Sequence, residues 1–213
     1  MKTLVIVDYG MGNLTSVTHA LDFLGYKGII SSRTKDIEDA DALIMPGVGC
    51  FSEAMRNLNE LDIIPILHEK VVKNQTPFFG ICLGMQLLAE DSVENGFHKG
   101  LGWISGHVVR FEHKDDIRIP HVGWNTINVI KKKFMFGRIE QNAEFYFDHS
   151  YHFVCDREIA TATCSYGTDV VAAIQKNNIF ATQFHPEKSQ VNGLKVLRGF
   201  LNFVESFKGT GLC

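Results

Sequence analysis

The sequence is poor in cysteine, and its cysteines follow no recognisable pattern. There are five, widely separated, and no two form a C-x-x-C pair. An odd number without close spacing argues against a disulfide framework and against a metal site, so we expect no metal. Each cysteine is by default a small buried apolar residue, but one of them can still be a reactive thiol. The five are Cys50, Cys82, Cys155, Cys164 and Cys213.

Long apolar runs and an excess of positive charge are also missing. No stretch approaches the ~18 apolar residues of a membrane span, and the apolar N-terminal stretch that Asp8 closes is too short for a signal peptide. The net charge of −3 predicts neither a nucleic-acid-binding nor a membrane-binding surface. The sequence has no P-loop and no glycine-rich dinucleotide fingerprint, so no cofactor is expected either. We therefore expect a cytoplasmic protein.

What is present is an ordinary globular composition. Hydrophobic residues make up 45% of the 213 positions, which is too many for a disordered chain and enough for one sizeable core. Because domains usually contain ~100–200 residues, one domain over residues 1–213 is the expectation. The charge run at 131–133 predicts a solvated loop tip.

The first half of the chain alternates strand and helix patterns. Short apolar runs predict buried strands at 4–7, 28–30, 42–45 and 78–81. Amphipathic stretches predict helices at 14–24, from 51, at 64–72 and from 84. Pro46 is expected to break the third strand. Repeated β–α units of this length predict a parallel sheet covered by helices.

The second half changes to short stretches rich in β-branched and aromatic residues. They predict further strands at 107–111, 126–130, 145–147, 159–163, 170–174 and 179–184. Asn177-Asn178 is typical of a hairpin turn, and residues 193–207 predict a final helix. The predicted fold class is therefore α/β: a single domain whose mostly parallel sheet is flanked by helices and carries an antiparallel β extension.

Gly80-Ile81-Cys82-Leu83-Gly84 lies between a predicted strand and a predicted helix. It has the form of a G-x-nucleophile-x-G elbow with cysteine as the nucleophile. Small flanking residues allow strand and helix to pack closely around a strained turn, and the helix N-terminus favours a thiolate. The amide of Leu83 can donate to a developing oxyanion. The pentapeptide alone is equally compatible with a buried structural cysteine.

A histidine near the C-terminus favours the catalytic interpretation. His185 follows a predicted strand, and the carboxyl ends of parallel strands meet at one edge of a sheet. Cys82 and His185 are therefore expected to meet there. A Cys–His pair needs a third group to orient the imidazole, and Glu187 is the candidate. Pro186 interrupts the strand geometry, so His185 and Glu187 need not point to opposite faces.

Pro46-Gly47-Val48-Gly49 ends another strand of the same sheet. Its glycines allow the loop to turn backbone amides toward a ligand. Val48 and Gly49 are thus candidates for the second half of an oxyanion hole. Without the other motifs, the same residues would be an ordinary strand-to-helix turn.

Together these residues resemble the class I (triad) glutamine amidotransferases, and more narrowly the glutaminase subunits of imidazole glycerol phosphate synthase. The resemblance runs nearly end to end. Other members of the class typically carry His where this chain has Met85, and they lack the stretch Gly123-Trp124-Asn125. The stretches that carry it are 8–14, 46–49, 80–86, 120–125, 149–151 and 185–190.

The resemblance implies a mechanism and a substrate. Cys82 would attack the side-chain amide of L-glutamine, with His185 and Glu187 completing the triad. The oxyanion would be held by amides at Leu83 and in the Val48–Gly49 region. The substrate would be bound by Gln86, His149, Ser150 and Tyr151. Asp148 departs from the family pattern, which usually has an apolar residue before the His-Ser/Thr-Tyr stretch.

The resemblance also implies a partner. Ammonia would pass to a (β/α)₈ synthase subunit in a heterodimer, making imidazole glycerol phosphate and aminoimidazole carboxamide ribotide in histidine biosynthesis. Trp124, Tyr146 and Lys188 match positions that family members place at that interface, although they could equally be two core aromatics and a surface charge.

Three other functions stay open at this point. A paralogous branch of the family supplies ammonia for amidating a surface-polysaccharide sugar. The same triad would also suit a stand-alone γ-glutamyl hydrolase. A non-catalytic binding protein on this scaffold is the third, and the intact Cys82, His185 and Glu187 argue against it.

Overall fold

The computed structural model describes residues 2–115 and 117–207. Cys213 lies outside these residues. In the described part of the chain, no helix is both long and apolar enough to cross a bilayer. The other four cysteines carry free thiols.

The first half of the chain forms alternating strands and helices. The apolar runs of the strands explain this, because both faces of each central strand are buried. Asn13 begins the first helix by accepting a hydrogen bond from the amide of Ser16. The elements are β1 (Leu4–Val7), α1 (Leu14–Phe23), β2 (Gly28–Ser31), α2 (Thr34–Asp39), β3 (Ala42–Gly47), α3 (Phe51–Glu60), α4 (Ile64–His68) and β4 (Phe78–Cys82).

The second half is mostly β-structure and ends in a long helix. A π-helical turn at Glu69–Lys73 precedes β4, and short 3₁₀ turns lie at Phe134–Phe136, Arg157–Ile159 and Pro186–Lys188. The remaining elements are α5 (Leu83–Gln86), β5 (Asp91–Ser92), β6 (His98–Lys99), β7 (Gly106–Arg110), β8 (His121–Thr126), β9 (Asn128–Val129), β10 (Glu144–His149), β11 (Tyr151–Cys155), β12 (Ala160–Tyr166), β13 (Thr168–Lys176), β14 (Ile179–Thr182) and α6 (Gln190–Ser206).

Eight strands form the main sheet, in the order β2-β1-β3-β4-β14-β13-β12-β9. The first five are parallel, and β13, β12 and β9 continue the sheet in antiparallel fashion. The strands β8 and β10 form a separate antiparallel pair, and β11-β7-β5-β6 form a small third sheet. The predicted α/β class with an antiparallel extension is thus confirmed.

The core lies on both faces of the main sheet. Residues of the central parallel strands are divided between two hydrophobic clusters: in β1, Leu4 and Ile6 belong to one and Val5 and Val7 to the other. The first cluster packs against α1 and α6, and the second against α3 and α4. This two-sided burial places the carboxyl ends of β3, β4 and β14 side by side at one edge of the sheet.

Some expected boundaries are wrong. The helix expected at 64–72 becomes the π-helical turn after His68, and the helix expected from 84 is a single turn beginning at Leu83. The third strand continues through Pro46 to Gly47. This costs no hydrogen bond to β1, because the pairing of β3 with β1 ends at Ile44. The strand expected at 126–130 is divided between β8 and β9.

Candidate active site

The sharp turn after β4 holds Cys82. Its backbone has φ +53°, a left-handed conformation that is strained for a residue with a Cβ. The flanking glycines are required by packing. A Cβ on Gly80 would lie 2.7 Å from the carbonyl oxygen of Gly84, and one on Gly84 would lie 1.9 Å from that of Met45. The elbow predicted from the sequence is therefore present.

The single turn α5 limits what a helix dipole adds at the sulfur. This helix has only four residues, and a full macrodipole needs a longer helix. It still begins at Leu83, and the first amides of a helix have no acceptor within it. The proposed oxyanion role of the Leu83 amide thus depends on local backbone direction rather than on a long helix.

His185 and Glu187 form a buried pair beside the elbow. The Nδ1 atom of His185 lies 2.8 Å from Oε1 of Glu187, and their side chains are 2% and 1% exposed. The strand β14 is the parallel neighbour of β4, with Thr182 opposite Ile81. His185 and Cys82 therefore lie past the same edge of the sheet. Among the described residues, Nε2 of His185 has no hydrogen-bond partner, so this atom is available to a reacting group.

The charge state of His185 depends on its neighbours. Burial disfavours the imidazolium, but the negative charges of the Cys82 thiolate and the Glu187 carboxylate outweigh burial and raise the pKa of His185 to about 10. At neutral pH this favours the imidazolium form of His185, which places a proton donor beside the Cys82 sulfur before any substrate binds.

The loop that follows β3 is held by the N-terminal loop after β1. The amide of Val48 donates to the carbonyl of Met11 at 3.1 Å, and the hydroxyl of Tyr9 donates to the carbonyl of Pro46 at 2.8 Å. Gly49 has φ +104°, which a residue with a side chain rarely adopts. The Val48 amide is thus occupied in this conformation and does not face the sulfur as a free donor.

A cavity of about 240 Å³ opens beside Cys82. It contains every candidate that the sequence suggested for oxyanion and substrate binding, and also Asp148 and two residues that the sequence did not suggest, Glu94 and Pro120. The residues that line it are Val48, Gly49, Cys82, Leu83, Gln86, Glu94, Pro120, Asp148, His149, Ser150 and Tyr151.

Glu94 lies in this cavity with its carboxylate held in place. Its Oε2 accepts a hydrogen bond of 2.7 Å from the amide of Phe51, at the start of α3. A fixed negative charge suits the α-ammonium group of an amino acid. Glu94 lies in an irregular segment with no motif, so the sequence offered no signal for it.

The imidazole of His149 faces other protein groups. Its Nδ1 lies 2.8 Å from the carbonyl of Tyr151, and its Nε2 lies 3.1 Å from Nδ1 of His121. Both ring nitrogens are thus engaged. His149 therefore lines the cavity without a free ring nitrogen for a substrate.

The three residues predicted for a partner interface form one patch. Trp124 on β8 and Tyr146 on β10 are directly opposite each other, with ring centroids 6.2 Å apart. The Nζ atom of Lys188 lies 5.5 Å from the centre of the Tyr146 ring. Trp124 is 46% exposed and Val122, on the same face of β8, is 54% exposed. Trp124 is therefore not a core aromatic.

This patch adjoins the triad. The amide of His185 donates to the carbonyl of Tyr146 at 2.9 Å, and the amide of Tyr146 donates to the hydroxyl of Ser189 at 3.0 Å. A group that docks on the patch would contact β10, whose Tyr146 carbonyl is hydrogen-bonded to the amide of His185.

Comparison with known proteins identifies relatives over almost the whole chain. The model of the class-I glutamine amidotransferase family matches residues 5–202. A HisH 1 subunit of imidazole glycerol phosphate synthase from Campylobacter jejuni (strain RM1221) is 46% identical over 93% of this chain and 98% of its own. The HisH subunit of Geobacter sulfurreducens is 44% identical, covering 94% and 98%. HisH 2 of Vibrio vulnificus is 45% identical, covering 95% of both.

Solved structures agree on the fold. A crystal structure of a glutamine amidotransferase superimposes with a TM-score of 0.73 at 22% identity, covering 94% of this chain and 98% of that one. The structure of PurLQS from Thermotoga maritima gives a TM-score of 0.70 at 19% identity, covering 96% of this chain and 100% of the matched one. At these identities the likeness concerns the fold alone.

Proposed function

The chain belongs to the class-I glutamine amidotransferase family and, within it, to the HisH subunits of imidazole glycerol phosphate synthase, and on this basis we propose that it is the glutaminase of a two-protein synthase. In this function it hydrolyses L-glutamine to glutamate and passes the ammonia on for histidine biosynthesis. The observation that carries the proposal is the strained Cys82 beside the buried His185–Glu187 pair.

The first half of the reaction uses Cys82 as a thiolate and His185 as an imidazolium. The sulfur of Cys82 attacks the side-chain amide carbon of glutamine, forming a C–S bond and a tetrahedral oxyanion. The C–N bond then breaks, and Nε2 of His185 gives its proton to the departing nitrogen, which leaves as ammonia. The absence of a hydrogen bond to Nε2 among the described residues supports this role.

The second half returns the enzyme to its starting state. His185, now neutral, takes a proton from a water molecule that attacks the thioester carbon. The C–S bond breaks, glutamate leaves, and the thiolate and imidazolium form again. Glu187 holds the ring orientation in both halves through its 2.8 Å contact with Nδ1.

Substrate recognition follows from the charges at the cavity. A cavity of about 240 Å³ suits a molecule the size of glutamine. We assign the α-ammonium group to the carboxylate of Glu94, and the remaining polar contacts to Gln86 and the segment Ser150–Tyr151. Asp148 also lines the cavity, where its backbone carbonyl lies 3.9 Å from the Cys82 sulfur.

The oxyanion site needs a change in one loop. We assign one donor to the Leu83 amide and the second to the Val48–Gly49 region, whose Val48 amide is bonded to Met11 in this structure. Glutamine hydrolysis at full rate therefore requires this hydrogen bond to open. Such gating disfavours the stand-alone γ-glutamyl hydrolase, which would have no partner to open the loop.

The partner we propose is a (β/α)₈ synthase subunit that docks on Trp124, Tyr146 and Lys188. Ammonia in water at neutral pH is mostly protonated and is then a poor nucleophile, so a direct passage to the acceptor makes chemical sense. We propose imidazole glycerol phosphate and aminoimidazole carboxamide ribotide as the products of the complex, in the cytoplasm.

A second acceptor can be tested as well, because several of the relatives are numbered copies. HisH 1 and HisH 2 of Methanococcus maripaludis are 41% and 42% identical to this chain. Organisms with two such subunits can use them with different partners, and a surface-polysaccharide sugar is the alternative acceptor. Co-purification of the chain with each candidate synthase distinguishes the two, because only the true partner should stay bound.

The experiment that tests the glutaminase is Cys82→Ser in the reconstituted complex. We expect glutamine-dependent synthase activity to fall at least about 10³-fold, because the nucleophile is lost. Activity with added ammonia should stay at the wild-type level, because the synthase site is untouched.

Cys164→Ser is the matched control. Cys164 is as deeply buried as Cys82 but lies on β12. It should keep both activities. Loss of both activities in Cys82→Ser, or of neither, would refute the proposed function.

A further inference from the structure

Gln183 is a buried glutamine beside the sulfur of Cys82, and the proposed reaction gives it no role. Gln183 directly follows β14 and is fully buried. Its side-chain nitrogen Nε2 lies 3.6 Å from Sγ of Cys82, within the range of a hydrogen bond to sulfur. Gln183 does not line the cavity beside Cys82. It therefore reaches the sulfur without reaching the substrate.

The direction of this hydrogen bond is set by its neighbours. The carbonyl of Tyr151 can only accept, so the group of Gln86 that lies 2.8 Å from it is the amide nitrogen Nε2. The same nitrogen lies 3.1 Å from Oε1 of Gln183. Gln183 thus turns its oxygen toward Gln86, and its nitrogen must face the sulfur. A flip of Gln183 would bring two amide nitrogens together.

The Tyr151 carbonyl has a second hydrogen-bond partner, the imidazole of His149. Burial lowers the pKa of His149 to about 3 and that of His121 to about 4, so both rings are neutral at pH 7. His149 then donates from Nδ1 to Tyr151, which leaves its Nε2 as the acceptor for Nδ1 of His121. Nε2 of His121 accepts in turn from the amide nitrogen of Asn125 at 3.1 Å.

We propose that Gln183 is a catalytic residue whose side-chain N–H stabilises the Cys82 thiolate. A hydrogen bond to a charged sulfur is stronger than one to a neutral sulfur. The bond therefore helps when the thiolate forms before attack, and again when the thiolate leaves the thioester. The role of Gln183 in glutamine hydrolysis rests on the proposed function, whereas its N–H···S hydrogen bond requires only the free thiol of Cys82.

The position of Gln183 predicts how its loss divides between rate and binding. Because Gln183 touches the sulfur but not the cavity, removing its donor should lower kcat for glutamine hydrolysis about tenfold. KM for glutamine should change less than about twofold in Gln183→Glu, which keeps the oxygen that holds Gln86 in place, since no substrate contact is then lost. A merely structural role would loosen the pocket and raise KM.

The direct test is alkylation of Cys82 by iodoacetamide, followed by peptide mass spectrometry. Gln183→Met keeps the size of the side chain but has no donor. At a pH where the thiol is the major form in both proteins, we expect about threefold slower alkylation, because about tenfold fewer thiolates are offset by about threefold higher nucleophilicity. Thr182→Val is the matched control, since Thr182 is fully buried on β14 and bonds to the carbonyl of Phe184.

A second variant tests the donor where Gln183→Met fails to fold. Gln183→Glu keeps the shape, and its carboxyl can donate to the sulfur only while protonated. The alkylation rate relative to wild type should fall as pH is raised from about 5 to about 9. The other titratable residues that face the sulfur or line its cavity are common to both proteins, so the ratio reports on residue 183; they are Tyr9, Glu94, Asp148, His149 and His185.

Two results would overturn the proposal: alkylation of Gln183→Met at the wild-type rate, or equal slowing in Thr182→Val. A ratio for Gln183→Glu that is independent of pH would do the same. If the alkylation pattern holds but the wild-type complex hydrolyses no glutamine, the thiolate role of Gln183 is supported and the proposed glutaminase function is the part that fails.

Discussion

The triad and the loop after β3 lie at the same edge of the sheet, yet they are prepared for catalysis to different degrees. His185 and Glu187 are buried and in contact at 2.8 Å, and Nε2 of the histidine is free of partners among the described residues. The amide of Val48, in contrast, is bonded to Met11. Under the proposed function, the groups that transfer protons are therefore already assembled, whereas the oxyanion site depends on a conformational change.

The two regions differ because of how their residues are held. The triad residues extend from β4 and β14, adjacent parallel strands whose core residues are fully buried. The oxyanion loop rests on single hydrogen bonds from Val48 and Tyr9, and Val48 is 39% exposed. Single hydrogen bonds contribute about 1 kcal/mol each, so the loop can change conformation at low cost. A docked partner has enough binding energy to drive such a change.

Glu187→Gln changes the proposed triad. It should have a larger effect than Trp124→Ala or a change of pH that titrates the buried histidines. The new amide cannot stabilise an imidazolium as a carboxylate does, so glutamine-dependent activity of the complex should fall at least about 100-fold. Ammonia-dependent activity should not change. Glu205→Gln, on the exposed face of α6, serves as the control. A Glu187→Gln complex with wild-type glutaminase activity would show that the triad assignment is wrong.

Trp124→Ala changes the proposed partner interface. Loss of a half-exposed aromatic from the centre of an interface should weaken binding of the synthase partner about 30-fold, measured by titration calorimetry. The activity of the isolated chain should be unaffected. The control Phe23→Ala removes a ring that is 78% exposed on α1, and it should leave the affinity unchanged. Equal affinities for Trp124→Ala and wild type would move the interface elsewhere.

The third and smallest effect concerns the histidines behind the cavity. The pKa values of His121 and His149 are lowered to about 4 and about 3 in the folded chain, whereas an unfolded histidine titrates near 6.5. Between these values the unfolded chain binds more protons, so stability falls as pH is lowered through this window. Urea unfolding at pH 7 and pH 5 should show a loss of roughly 2 kcal/mol per ring.

A variant isolates the contribution of one ring. His121→Asn removes a titrating group and should reduce the dependence of stability on pH, whereas His113→Gln, a change on the exposed surface, should not. The same slope in His121→Asn and wild type would show that His121 is not buried as a neutral ring.

Much of the fold could be predicted because its signals are local. The runs at 4–7 and 78–81 are buried on both faces, and Asn177 takes a left-handed conformation in the β13–β14 turn. The six-residue helix α2, the two-residue strands β5 and β6, and β11 were not predicted. They are too short, or too mixed in polarity, for a periodic pattern, and tertiary contacts hold them.

The site divides in the same way. The proximity of Cys82, His185 and Glu187 could be predicted because all three lie at or after the carboxyl ends of parallel strands, while their catalytic roles stay a prediction. Gln183 lies two residues before His185, but nothing local shows that its amide faces the sulfur. That orientation depends on Gln86 and Tyr151, which come from distant parts of the chain. The hydrogen bond between Val48 and Met11 is likewise a tertiary contact, and no sequence motif predicts it.

We infer that the triad is already assembled in the isolated chain and that the partner completes the oxyanion site. The rate of glutamate formation by the wild-type chain alone and by the chain saturated with its synthase partner tests this inference. We predict slow hydrolysis alone and a rate at least about 100-fold higher in the complex, since an oxyanion donor contributes about that much. An isolated chain that hydrolyses glutamine as fast as the complex would contradict the account.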